Sequence, residues 1–200
     1  GTMNSSSRLD TGLVRRPHAS SITQAVGAAT AAPYRHYDPA LPPLRDETTH
    51  QVNWRAMEVP VRVGPNLVIG AWTFEGDVPG PILHVREGDT IEFTLTNEGA
   101  VPHSMDFHAA QINPQTAFKS VPRGQSVSFT FKARMAGAFM YHCGTAPVLM
   151  HIGSGMYGAI IVSPRRPLPA AKEFVLVQSE YYVGAAQNDI APLDYRKMSS

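Results

Sequence analysis

Two short stretches hold most of the residues that could do chemistry: VPHSMDFHA at 101–109 and YHCGTAPVLMHIGSGM at 141–156. They contain His103, His108, His142, His151, Met156 and the single cysteine, Cys143. Taken singly, a histidine near a strand end is usually a hydrogen-bonded surface residue, and a buried cysteine is usually small core filler. The combination is more specific. Cys143, His151 and Met156 lie on one short loop, and adding His103 gives a thiolate, two imidazoles and a thioether. Soft sulfur with imidazole selects copper, and a trigonal His2Cys set with a weak axial Met is an electron-transfer site. Zinc accepts the same ligands but gains little from a thioether. Pro147, Val148, Leu149 and Met150 are candidates for part of an apolar shell.

Strand periodicity divides these residues into two groups. His142 and Cys143 are adjacent, so in an extended segment they point to opposite faces. His103 and His108 are separated by an odd interval and differ in face as well, while Asp106 shares parity with His108. If His103 faces inward with Cys143, then His108 falls on the side of His142. The expected inner set is His103, Cys143, His151 and Met156; the expected outer set is His108 and His142, with Asp106 beside them. Two imidazoles are too few for a tight site, so a third ligand is expected from another domain or subunit. The Cys143–His142 peptide link would join the sites by a short covalent path. Asp106 is the candidate proton relay.

These residues need a scaffold, and the chain's texture suggests one. Short alternating runs separated by Gly, Pro, Asn and Asp begin near residue 53: AMEVPVRV, LVIGAWTF, PILHVR, DTIEFTLTN, SVSFTFKA, AFMYHC and YGAIIVS. In DTIEFTLTN, Ile91, Phe93 and Leu95 share one face, and Val127, Phe129 and Phe131 repeat the pattern in QSVSFTF. Seven or so strands over this span predict an all-β Greek-key sandwich or barrel. Residues 1–52 read as an N-terminal arm, extended or partly disordered, with a possible short helix in SITQAVGAATAA. Residues 53–166 read as the core domain. Residues 167–200 read as a linker plus a strand, KEFVLVQSEYYV, that either packs back on the first sheet or, the favoured reading, opens a second domain.

Composition bounds the rest. The 200 residues carry a formal net charge of +1, which gives no drive toward nucleic acid. One cysteine excludes an internal disulfide and Cys-paired zinc motifs. No stretch reaches the length of a membrane span, and no phosphate-binding Gly-rich loop joins a strand to a helix.

With both stretches in view, residues 53–185 resemble the first cupredoxin domain of copper-containing nitrite reductases. HSMDFHA is similar to that family's His-x-x-Asp-Phe-His segment. MYHCGTAPVLMHIGSGMYGAIIV is similar to its second segment, in the version with the shorter loop between Cys and His. TFEGDVPGPILHVREGDTIEFTLTN resembles the usual entry with its Pro-Gly-Pro turn. The resemblance implies a cupredoxin fold with type 1 copper on His103, Cys143, His151 and Met156, and type 2 copper on His108 and His142. It implies that Asp106 is the catalytic aspartate, hydrogen-bonding nitrite and passing it a proton during reduction to nitric oxide. It further implies a small cupredoxin or cytochrome c as electron donor, a homotrimer with type 2 copper between subunits, and a periplasmic or secreted location. The family's third type 2 histidine and catalytic histidine lie in its second domain, so this sequence reads as a first domain with a stub. His18, His36 and His50 are not expected to replace them, and His84 is expected to be structural.

Three rival readings fit the residues less well. An electron carrier with a type 1 site alone has no use for Asp106, His108 and His142. A laccase-like trinuclear site needs His-x-His pairs and His-Cys-His, whereas the chain reads Tyr-His-Cys-Gly around Cys143. A metal-free sandwich leaves both clusters unexplained.

Overall fold

In the computed structural model, residues 31–34 and 36–199 are described. The possible helix at 21–32 and His18 therefore fall largely or wholly outside the described residues, and 31–32 are irregular. Eight strands and three short helices follow in chain order: β1 (Thr49–Gly64), β2 (Leu67–Phe74), β3 (Leu83–Arg86), β4 (Thr90–Asn97), β5 (Asp106–Phe107), α1 (Pro114–Ala117), β6 (Ser126–Lys132), β7 (Gly137–His142), α2 (Val148–Gly153), β8 (Tyr157–Ser163) and α3 (Tyr195–Met198). They form two four-stranded sheets, ordered β2-β1-β4-β6 and β3-β8-β7-β5. β1 runs parallel to β4 and β3 parallel to β8, while the remaining pairs are antiparallel. The result is the expected all-β, Greek-key sandwich of the cupredoxin type.

Alternation of side chains builds the core. On β4, Ile91, Phe93 and Leu95 are buried and face the opposite sheet. Each contributes about 1.5–3 kcal/mol relative to exposure. On its outer face, Thr94 and Thr96 hydrogen-bond Ser128 and Ser126 across to β6, at 2.9 and 2.8 Å. β1 starts at Thr49, ahead of the boundary read at 53, and points His50, Val52, Trp54 and Ala56 inward. The Trp54 ring meets those of Phe93, Phe107 and Tyr141 at centroid distances of 5.5, 5.9 and 5.0 Å, tying the sheets together.

KEFVLVQSEYYV forms no regular strand. Phe174 and Val183 make isolated bridges to Ala40 and Leu193, and Phe174 and Leu176 are exposed. Val177, Tyr181 and Val183 pack against a smaller cluster around Val61, Ile69 and Tyr157. A strand needs a neighbour for its backbone groups, and along this segment the described residues supply one only at those bridges.

Candidate metal centre

The loop between β7 and β8 and the segment before β5 converge on one buried point. Cys143 follows β7 directly, His151 lies on α2, and Met156 precedes β8. The turn into Met156 requires Gly155, whose φ of +118° is strained for a side chain. A Cβ there would also lie 2.6 Å from Val78 and 2.9 Å from the Trp72 carbonyl. The backbone closes the loop: Cys143 N–H donates to the Met156 carbonyl at 3.1 Å, and Met156 N–H to that of His151 at 3.2 Å. His103 arrives from the other side, held by paired hydrogen bonds with Val121.

The donor atoms of His103, Cys143 and His151 lie within 4.8 Å of one another, all in buried residues. His151 Nδ1 is 3.2 Å from Cys143 Sγ and 3.2 Å from His103 Nδ1. Met156 is fully buried in the same hydrophobic cluster as Cys143. Ser104 N–H donates to Cys143 Sγ at 3.3 Å, while the Ser104 hydroxyl accepts from Gly144 N–H at 3.0 Å. Burial alone would push the Cys143 thiol up, but the neighbouring His103 and His151 imidazoles and the Ser104 amide outweigh it and bring it down to about 5. Sulfur is therefore held as thiolate, the form that binds a metal. A thiolate, two imidazole nitrogens and a thioether in an apolar setting make a soft donor set with low-coordinate geometry; they fit a soft transition ion and suit a hard, oxygen-seeking one poorly.

The second cluster sits on the other side of the same strand. β5 pairs with β7 so that Asp106 lies opposite His142 and Phe107 opposite Tyr141. Phe107 and Tyr141 go to the core; Asp106 and His142 take the opposite face, where His108 joins them two residues on. His108 Nε2 is 3.0 Å from His142 Nε2, and Asp106 Oδ2 is 3.9 Å from His142 Nε2. His142 Nδ1 is 2.9 Å from the Cys143 carbonyl. A carbonyl only accepts, so Nδ1 carries the proton and Nε2 offers its lone pair outward. His108 is exposed, and Asp106 and His142 are partly so.

All seven residues singled out in the sequence thus fall in two groups, six of them with donor atoms gathered and Met156 placed by burial and backbone. The proposed apolar shell is only partly there. Helix α2 turns Val148 and Leu149 outward, at 38% and 45% exposure, and Pro147 is exposed; Met150 alone of the four packs against the core. The wall is instead Trp72, whose ring packs edge-on to those of His151 and His103 at 4.7 and 5.6 Å. Trp72 and Glu58, a near-buried carboxylate 3.1 Å from His103 Nε2, were not anticipated. Glu58 had a signal: it continues the inward parity of His50, Val52, Trp54 and Ala56.

The other described histidines stand apart. His50 is buried against Asp89 at 2.8 Å, His84 bridges the Pro42 carbonyl and Ser163, and exposed His36 packs on Tyr34.

The sandwich and its paired clusters define a class. A family model described as multicopper oxidase matches residues 60–167, and the chain belongs to that family. Within it, the similarity runs to copper-containing nitrite reductases. That of Neisseria meningitidis serogroup A is 41% identical over 152 residues, covering 72% of this chain and 39% of the relative. That of Alcaligenes xylosoxydans xylosoxydans is 44% identical over 117 residues, covering 56% and 35%. A solved copper nitrite reductase from Nitrosomonas europaea superposes with a TM-score of 0.60 at 46% identity, covering 62% of this chain and 45% of that one. A solved multicopper oxidase gives 0.58 at 32% identity over 62% and 45%. The resemblance read from the two histidine-bearing stretches is thereby shown. The chain spans well under half the length of these curated relatives.

Proposed function

We propose that residues 53–166 are the first cupredoxin unit of a copper-dependent nitrite reductase, with residues 167–200 leading toward a second. His103, Cys143, His151 and Met156 would hold type 1 copper. His108 and His142 would hold type 2 copper, completed by a ligand from another domain or a neighbouring subunit, as in a homotrimer. Bound copper would supply the one-electron redox chemistry, with the electron delivered by a small cupredoxin or cytochrome c.

The observation that carries this reading is the back-to-back placement of the clusters. Cys143 faces inward and His142 outward from consecutive positions, and the Cys143 carbonyl holds the His142 ring. That links a buried, sulfur-bearing group to an exposed imidazole pair through one peptide unit. Water has little access to the inner group, and nitrite can reach the outer one. Reduction of nitrite to nitric oxide and water takes one electron and two protons. Asp106, partly exposed beside His142, is placed to hydrogen-bond a nitrite oxygen and pass it one of those protons. No helix among the described residues is long and apolar enough to cross a membrane. A periplasmic or secreted location is part of the same proposal, supported by the likeness to copper-containing nitrite reductases.

Copper content per chain, with an electron paramagnetic resonance spectrum of the oxidised sample, tests the reading. Two coppers with distinct narrow and wide hyperfine splittings are expected when the third outer ligand is present. One copper with only the narrow splitting would favour an electron carrier with a type 1 site alone. No copper in either cluster would overturn the proposal.

A further inference from the structure

Glu58 lies on β1, with its side chain only 4% exposed. Its carboxylate meets three partners. It accepts from Ala100 N–H at 2.6 Å and Val101 N–H at 3.3 Å, and it lies 3.1 Å from His103 Nε2. In the β1–β2 register its direct neighbour is Trp72, whose ring packs on both His103 and His151. One cross-strand pair therefore supplies both the polar and the apolar restraint on the inner imidazoles. A bare carboxylate buried here without partners would cost several kcal/mol, and each of the three contacts offsets that cost.

We propose that Glu58 is the positioning residue of the inner site, fixing the tautomer and direction of the His103 ring. A carboxylate that already accepts two backbone N–H groups is acceptor-only, so the ring nitrogen facing it carries the proton. His103 Nε2–H donates to Glu58, which leaves the Nδ1 lone pair aimed at His151 Nδ1 and the Cys143 cluster. The same carboxylate ties down the 100–101 backbone, so ring and loop are set together. An imidazole whose N–H faces a carboxylate is also a more basic donor, which favours the more highly charged, oxidised state of a bound ion.

Two measurements test this, and only the second depends on the copper reading above. In the metal-free protein, nitrogen-15 shifts of His103, recorded above the ring's titration, should show a single tautomer protonated at Nε2, with slow exchange of that proton. Glu58→Gln should lose that slow exchange, and Glu58→Ala should mix the tautomers. Asn97→Ser is the control: Asn97 braces the same loop through Val101, Val121 and Gly99 and has no hydrogen bond to the His103 ring, so its substitution should leave the ring's tautomer unchanged. In the copper-loaded protein, Glu58→Gln should weaken binding of oxidised copper about 10–100-fold. With the reduced ion unaffected, the potential then rises by about 60–120 mV, at 59 mV per tenfold for one electron. A wild-type ring protonated at Nδ1, an unmoved Glu58→Gln, or an equal shift in Asn97→Ser would overturn the proposal. If Glu58→Gln fails to fold, the wild-type tautomer still decides. A correct tautomer in a protein that binds no copper at Cys143 would sink the functional reading and leave the positioning role standing.

Discussion

The inner and outer clusters are built from adjacent residues and obey opposite rules. The inner one is sealed: His103, Cys143 and Met156 are fully buried and His151 is 3% exposed. Its donors come from one chain, and each ring has a buried neighbour to hold it. The outer one is open, with His108 exposed and, among the described residues, two imidazoles and a carboxylate to offer. The rings even present different nitrogens, Nδ1 inward from His103 and Nε2 outward from His142, because Glu58 and the Cys143 carbonyl occupy the other nitrogen in each case. A fully furnished site can keep its ion in a fixed geometry. An under-furnished one has room for a substrate and depends on what else is brought to it.

The largest effects should separate the clusters cleanly. Cys143→Ala removes the thiolate and should abolish the intense visible band, while His108 and His142 keep whatever copper they hold. Absorption and copper counts check this, and persistence of the band would remove Cys143 from the site. Next comes Asp106→Asn in the proposed nitrite-reducing assembly. Losing a proton relay typically costs about 10²–10⁴-fold in rate, so nitrite turnover should fall on that scale with the visible spectrum unchanged. Equal turnover would reduce Asp106 to a surface carboxylate.

A third substitution probes the seal alone. Gly155→Ala places a Cβ against Val78 and the Trp72 carbonyl at a positive φ. It should cost about 1–3 kcal/mol in thermal or denaturant unfolding and perturb the inner spectrum through Met156, leaving the outer group untouched. A stable Gly155→Ala with an unaltered spectrum would mean that the turn does not set the thioether.

The two clusters were unequally legible in the sequence. The inner candidate ligands announce themselves by element: sulfur beside imidazole has few uses, and strand parity puts His142 and Cys143 on opposite faces. The surrounding strands were legible wherever one face alternates, as in β4 and β6. Three features were not. β5 is two residues long, so no periodicity can reveal it; it exists because Asp106 and Phe107 meet His142 and Tyr141. Helix α2 is six residues, follows Pro147 and has no side-chain cap, so its apolar run read as shell when Val148 and Leu149 in fact face outward. The first four residues of β1, Thr49 to Val52, read as arm because Thr49 and Gln51 alternate with the inward His50 and Val52. Glu58 and Trp72 come from strands far from the ligands in sequence, and only the register brings them to the rings.

The smallest expected effect sharpens the comparison most, because it asks how independent the clusters are. His108 is exposed at the end of a two-residue strand, and its backbone N–H donates to the Met140 carbonyl whatever the side chain. His108→Ala should therefore change stability by less than about 0.5 kcal/mol, abolish outer copper and leave the inner spectrum where it was. His142→Ala removes an imidazole from the same outer pair, but it also removes the donor on the Cys143 carbonyl. It should lose the outer ion equally and, in addition, shift the inner band slightly, because the peptide that carries the thiolate is freed. Identical inner spectra for the two variants would mean that the clusters share a strand and nothing more. A shift confined to His142→Ala would locate their coupling in one hydrogen bond and one peptide unit.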